Sequence, residues 1–187
     1  RPQYVQAGAG PHLLDWAYAT DANADTFRSN ISATKEGVSI SDTIGVKKFT
    51  VDVRWNVEGF GYIFLTADNG GDLYDLPSSG STKTLNLNYE LAKSRVIRNR
   101  KRVLLHANAG WKPSHETKTF IDVSEGYLED AKHSLANDPL CGEYSQQALR
   151  HALRASEQVE LENAEYRIAH ASQRPDFFLG CDARGFY

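Results

Sequence analysis

The chain of 187 residues contains no methionine and only two cysteines, Cys141 and Cys181. The missing start residue leads to the expectation that Arg1 follows a processing step or a chosen boundary, and a removed secretion signal is compatible with that. Two cysteines in separate segments exclude a disulfide framework, so the fold has to rest on packing. No apolar run approaches the roughly 18 to 20 residues that cross a bilayer. The amino end, starting Arg1, Pro2 and Gln3, lacks the apolar core of a signal peptide. Neither sign of charge dominates: the net charge of -3 argues against a general polyanion binder. Six histidines are present. His106, His115, His133, His151 and His170 are scattered without an i, i+4 pair, which argues against zinc.

What is present suffices for a core, since 41% of the residues are hydrophobic. The first eighty residues read as strands. Val38 to Ser41 is a short run. Lys48 to Val57 alternates, with Phe49, Val51, Val53, Trp55 and Val57 on one face and Lys48, Thr50, Asp52, Arg54 and Asn56 on the other. From Phe60 to Thr66, Ile63 and Leu65 point one way and Phe60, Tyr62 and Phe64 the other. Asp68, Asn69, Gly70, Gly71 and Asp72 signal a tight turn, after which Leu73 to Leu76 is expected to return as the partner strand of a meander. The period changes to 3.6 after the break at Pro77 to Ser81. Helices are expected over Leu85 to His106, Thr117 to Ala136 and Ser145 to Ala171, with Asn137 and Pro139 stopping the second. The first is basic, from Lys93 to Arg102, and the third acidic after Ser156, so pairing along their rims is expected, each exposed pair contributing about 0 to 1 kcal/mol. That basic run reads as a solvated helix face rather than a nucleic-acid site. Past Pro175, the run Phe177, Phe178, Leu179 and Cys181 reads as a buried strand opening a further α/β unit.

Three stretches carry a family resemblance: Val53 to Gly71 (VRWNVEGFGYIFLTADNGG), Leu85 to Val96 (LNLNYELAKSRV) and Phe178 to Tyr187 (FLGCDARGFY). Together they resemble the region preceding the catalytic barrel in certain multidomain proteins of glycoside hydrolase family 10, a family of endo-β-1,4-xylanases. The resemblance implies an α+β chain. Residues 1–80 would form a jelly-roll-like antiparallel β-sandwich of carbohydrate-binding type, 81–174 a three-helix connector, and 175–187 the first strand of a (β/α)8 barrel that the chain does not contain. It further implies a secreted protein whose partners are a plant polysaccharide, xylan or a related β-glycan, and a catalytic barrel in the same polypeptide. No nucleic-acid or membrane partner is implied. No catalytic residue carries over. A retaining glycosidase needs two carboxyl groups roughly 5 to 5.5 Å apart, those of this family lie on later barrel strands, and a barrel takes about 250 residues.

The candidate site residues are therefore binding residues. Flat rings suit sugars because a pyranose presents C–H groups to a ring face, while amides and charges fix its hydroxyls. Phe60, Tyr62 and Phe64 offer such a stripe beside Asp52, Arg54 and Asn56. The stripe's exposure would favour sugar binding. Its burial under Leu87, Leu91 or Phe120 would favour a second reading, in which the helices brace a barrel and no sugar is bound. Trp16, Tyr18, Tyr74 and Trp111 are the alternative ring platforms on loops. Trp55 belongs to the alternating core face. No cofactor is expected. Asp68, Asn69 and Asp72 could offer oxygens to calcium, which takes about six to eight, but a plain turn already explains them.

Overall fold

The computed structural model describes residues 10–11, 14–27, 29–34, 37–41, 45–78 and 80–171. The strand expected at Phe177 to Cys181 lies outside them, as does all of 175–187. The described elements are β1 (Gly10–Pro11), β2 (Tyr18–Thr20), β3 (Asn30–Thr34), β4 (Gly37–Ser41), β5 (Lys48–Val57), β6 (Gly61–Ala67), β7 (Tyr74–Asp75), α1 (Leu87–Asn108), α2 (His115–His133) and α3 (Asp138–His170).

The ten-residue β5 is the axis of a five-stranded antiparallel sheet. One edge of β5 pairs with β1 at Trp55 and Asn56 and with β2 from Thr50 to Asp52. The other pairs with β7 at Lys48 and Phe49 and with β6 from Val51 to Val57. The sheet is thus at most three strands wide at any level. A separate hairpin of β3 and β4 pairs Ile31 with Ile40 and Asn30 with Ser41, and its Val38 packs against the core.

This architecture corrects the expected jelly-roll sandwich. The alternation in β5 was read rightly, with Val53, Trp55 and Val57 buried on one face, but the layer covering them is helical. Leu91, Val96, Leu149 and Leu153 from α1 and α3 join those residues and Leu65 in one core. An apolar sheet face is buried equally well by helices or by a second sheet, and so the strand pattern alone does not choose. The core is continuous across residue 80. The expected meander is corrected as well. Tyr74 and Asp75 pair with the start of β5 and not with β6. A 3-10 turn at Asn69–Gly71 diverts the chain onto α1, where Asp68 meets the Arg98 guanidinium and Lys101 Nζ donates to the Gly70 carbonyl at 2.8 Å.

Capping sets the helix boundaries. Asn86 accepts from the Tyr89 N–H, Ser114 from the Thr117 N–H and Asn137 from the Leu140 N–H. The third helix begins seven residues before the expected Ser145, because Pro139 occupies its first turn, where a missing N–H costs nothing. α1 and α3 run parallel and α2 antiparallel to them, with α3 packed against both, as cross-links show: Asn99 to Ala152 and Arg102 to Glu160 at 2.8 Å join α1 to α3, and Thr117 to Glu162 and Tyr127 to Tyr144 join α2 to α3. The rim pairing expected between the basic and acidic helices is present in Arg102 and Glu160. Gln146 ties α3 to β5, accepting from Trp55 Nε1 at 3.2 Å and donating to the Asn56 carbonyl at 3.1 Å. Among the described residues no helix is long and apolar enough to cross a membrane.

Candidate functional site

The helices cover one face of the sheet, and the candidate site forms on the other. Strand alternation projects Thr50, Asp52, Arg54 and Asn56 of β5 outward together with Tyr62, Phe64 and Thr66 of β6 and Tyr18 and Thr20 of β2. Register then sets the rows. Tyr18, Asp52 and Thr66 lie side by side across three strands; Arg54 stands opposite Phe64, and Asn56 opposite Tyr62. Trp16, in the 3-10 turn Leu14–Trp16, closes the group from the β2 side.

The rings on this face are open to solvent: Trp16 is 57%, Tyr62 52%, Phe64 51% and Tyr18 40% exposed. They are also mutually arranged. Tyr18 and Phe64 tilt against each other at 6.2 Å between centroids, and the Arg54 guanidinium lies over Trp16 at 5.8 Å and over Tyr62 at 5.4 Å. A cation held on ring faces keeps its position without a salt bridge. Beneath the rings runs a polar line. Thr20 and Thr50 share a hydrogen bond of 2.7 Å, Thr50 reaches an Asp52 oxygen at 3.5 Å, and Thr66 donates to the other. Burial pushes the Asp52 carboxyl above its ordinary value, against the hydrogen bonds from Thr66 and Thr50. Burial likewise raises the Tyr18 phenol, helped by the Asp52 charge. The result is a face of four accessible rings with one anchored cation and a buried carboxylate. Such a surface can stack apolar ring faces and hydrogen-bond hydroxyls.

Other candidates fall elsewhere. Phe60 sits in the turn before β6 and packs on the core side, so the stripe of three is a pair, Tyr62 and Phe64. The reason is Gly61, which at φ 75° turns the chain between Phe60 and the strand. Trp111 is buried edge-on against His106 at 5.8 Å, closing the turn after α1, and is no platform. Tyr74 is buried too, its hydroxyl donating to Glu90 at 2.7 Å. Burial, then the hydrogen bond and charge of Glu90, push that phenol above its usual range. Trp55 is in the core.

The turn oxygens weighed for calcium are taken by cations. Asp68 pairs with Arg98, and Asp72 with Lys101 at 3.1 Å. Among the described residues no group of three or more His, Cys, Asp or Glu is placed to hold a metal ion. Cys141 carries a free, buried thiol. A second concavity of about 750 Å³ lies between β4, the start of β5 and the start of α1, lined by Val38, Ile40, Phe49, Leu76 and Leu87. Its buried polar groups, Tyr74 and Glu90, are satisfied by each other and by Lys93.

Sequence reasoning placed Tyr18 on a loop and missed its part in the sheet. The signal was the triplet Tyr18, Ala19 and Thr20, in which small Ala19 faces inward and the flanking residues outward. No family model, curated protein or solved structure matches the chain.

Proposed function

We propose that the chain is a non-catalytic carbohydrate-binding module, holding plant cell-wall polysaccharide, xylan or a related β-glycan, on the outer face of its sheet. The observation that carries this reading is the exposure of Trp16, Tyr18, Tyr62 and Phe64 around Arg54 on a rigid sheet face. Soluble folds rarely leave four large rings open in one patch without a ligand for them. The rings bind the C–H faces of successive pyranoses, and Arg54 and Asn56 address their hydroxyls. The resemblance to the family 10 accessory region supplies the substrate class and a role for the module. Tethered to a xylanase-like glycosidase, it raises the local concentration of polymer at the catalytic domain even when each contact is weak.

Titration calorimetry against soluble xylan, mixed-linkage glucan and xylohexaose tests the reading. Saturable heat is expected, with Tyr62→Ala weakening binding by about tenfold, in line with roughly 1 to 1.5 kcal/mol for a ring contact beyond its area. Absence of heat from a folded chain refutes it. The bracing role would then be the better reading, and a separate observation favours it: Leu104, Leu105, Leu161 and Ile168 are exposed on α1 and α3.

A further inference from the structure

The outer sheet face carries a cation whose setting differs from that of four arginines on the helices. Arg98 is paired with Asp68, Arg100 with Glu125, Arg102 with Glu160 and Arg150 with Glu58. Arg54 has two ring faces, those of Trp16 and Tyr62, and among the described residues no acceptor for its N–H groups. Asp52, two residues along β5, does not serve: its oxygens take the hydroxyls of Thr66 and Thr50, and the residue is 8% exposed. A cation–π contact engages the charge of a guanidinium without using up its N–H donors. Those donors form a parallel fork matching the two oxygens of a carboxylate.

From this juxtaposition we infer that the face selects glycans bearing uronic acids, with Arg54 holding the sugar carboxylate while Trp16 and Tyr62 stack the rings beside it. The inference rests on the sugar-binding reading above and adds the charge of the ligand to it. A face meant for neutral sugars gains little from an unpaired cation, since hydroxyls are served as well by amides. A carboxylate supplies the one partner Arg54 lacks.

The test is calorimetry of the chain with glucuronoxylan, polygalacturonate and alginate, each compared with its own carboxyl-reduced form, which keeps the backbone and removes the charge. At least one acidic polymer is expected to bind about tenfold or more tightly than its reduced form, the range of one bidentate charge-assisted contact. That preference should shrink on adding salt, because an exposed ion pair is screened. In Arg54→Gln the ratio of acidic to reduced affinity should fall towards one, and Arg54→Lys, which keeps the charge without the fork, should lie between. The comparison on the unaltered protein stands even if a variant folds poorly. Equal affinity for acidic and reduced forms overturns the inference and leaves sugar binding intact. No binding to any polymer, neutral or acidic, overturns both.

Discussion

Gly70 is where the turn after β6 is locked against α1, and replacing it by alanine probes how firmly the aromatic face is backed. Gly70 has φ 71°, a left-handed conformation in which alanine is less stable than glycine by roughly 1 to 2 kcal/mol. A Cβ built there falls 2.6 Å from Ile97 Cβ, and closer still to Cγ2, so the turn has to lift from the helix. Overpacking of that kind costs about 1 to 3 kcal/mol. The two effects together give roughly 2 to 5 kcal/mol, a large part of the about 5 to 15 kcal/mol that holds a domain folded. Urea unfolding followed by far-UV circular dichroism and tryptophan fluorescence measures it. The partition is tested in an Ile97→Gly background, which removes both Cβ and Cγ2, so that the steric part is relieved and Gly70→Ala should cost only the conformational part, about 1 to 2 kcal/mol. A cost under about 0.5 kcal/mol in the parent chain, or the same cost in both backgrounds, would refute the seating of this turn on Ile97.

Two further perturbations test the helical layer. Glu162 accepts from the Ser114 N–H at 2.9 Å and from the Ser114 and Thr117 hydroxyls, tying the start of α2 to α3. Burial alone would raise this carboxyl, but the three hydrogen bonds bring it below its usual value. A depressed folded-state pKa gives stability that is present above the ordinary carboxylate range and is lost as pH falls through the folded value. Urea midpoints measured down the acid range should therefore fall less steeply for Glu162→Gln than for the parent, and identical slopes would exclude the link. Asn99, 2% exposed, donates to the Ala152 carbonyl at 2.7 Å and accepts from Ser156 at 2.6 Å. Ser156 Oγ also lies 2.9 Å from the Ala152 carbonyl, so in Asn99→Ala the hydroxyl can donate to that carbonyl, and the loss should be about 0.5 to 1.5 kcal/mol for each hydrogen bond removed. In a double-mutant cycle with Ser156→Ala the two losses should fail to add by more than about 0.5 kcal/mol, and strict additivity would contradict the shared network.

The helices were legible because their signals are local. The apolar period follows from each stretch by itself, whereas the cap at Asn137 was read with Pro139 as the stop of the second helix when the two open α3. β5 was legible for the same reason, since ten residues of alternation leave one reading. The sandwich failed because what covers a strand is a long-range choice. Val53 and Trp55 would look the same under a second sheet as under Leu91 and Leu149. The meander failed at Asp68, whose partner Arg98 lies thirty residues further on: the turn chemistry was visible, and the helix that redirects the chain was not. Tyr74 and Trp111 were misplaced by one assumption, that rings near turns face solvent. In each case a polar or edge-on partner, Glu90 or His106, draws the ring inward.

The correction from sandwich to helix-backed sheet strengthens the case for the outer face. In a sandwich the two inner faces bury each other and the outer faces are commonly polar, so a ring on one is a local exception. Here the whole apolar demand of β5 and β6 is met on the helical side by a single core, and the outer rings add nothing to it. Tyr62, Phe64, Trp16 and Tyr18 are consequently removable without a cavity. On the proposed function these rings serve an outside ligand, and Arg54, held between two of them, would set the charge that ligand carries. Stability and binding would on that reading separate on the two faces of one sheet: substitutions at Val53, Trp55 or Leu65 should act on folding, and substitutions at Tyr62, Phe64 or Arg54 on ligand binding.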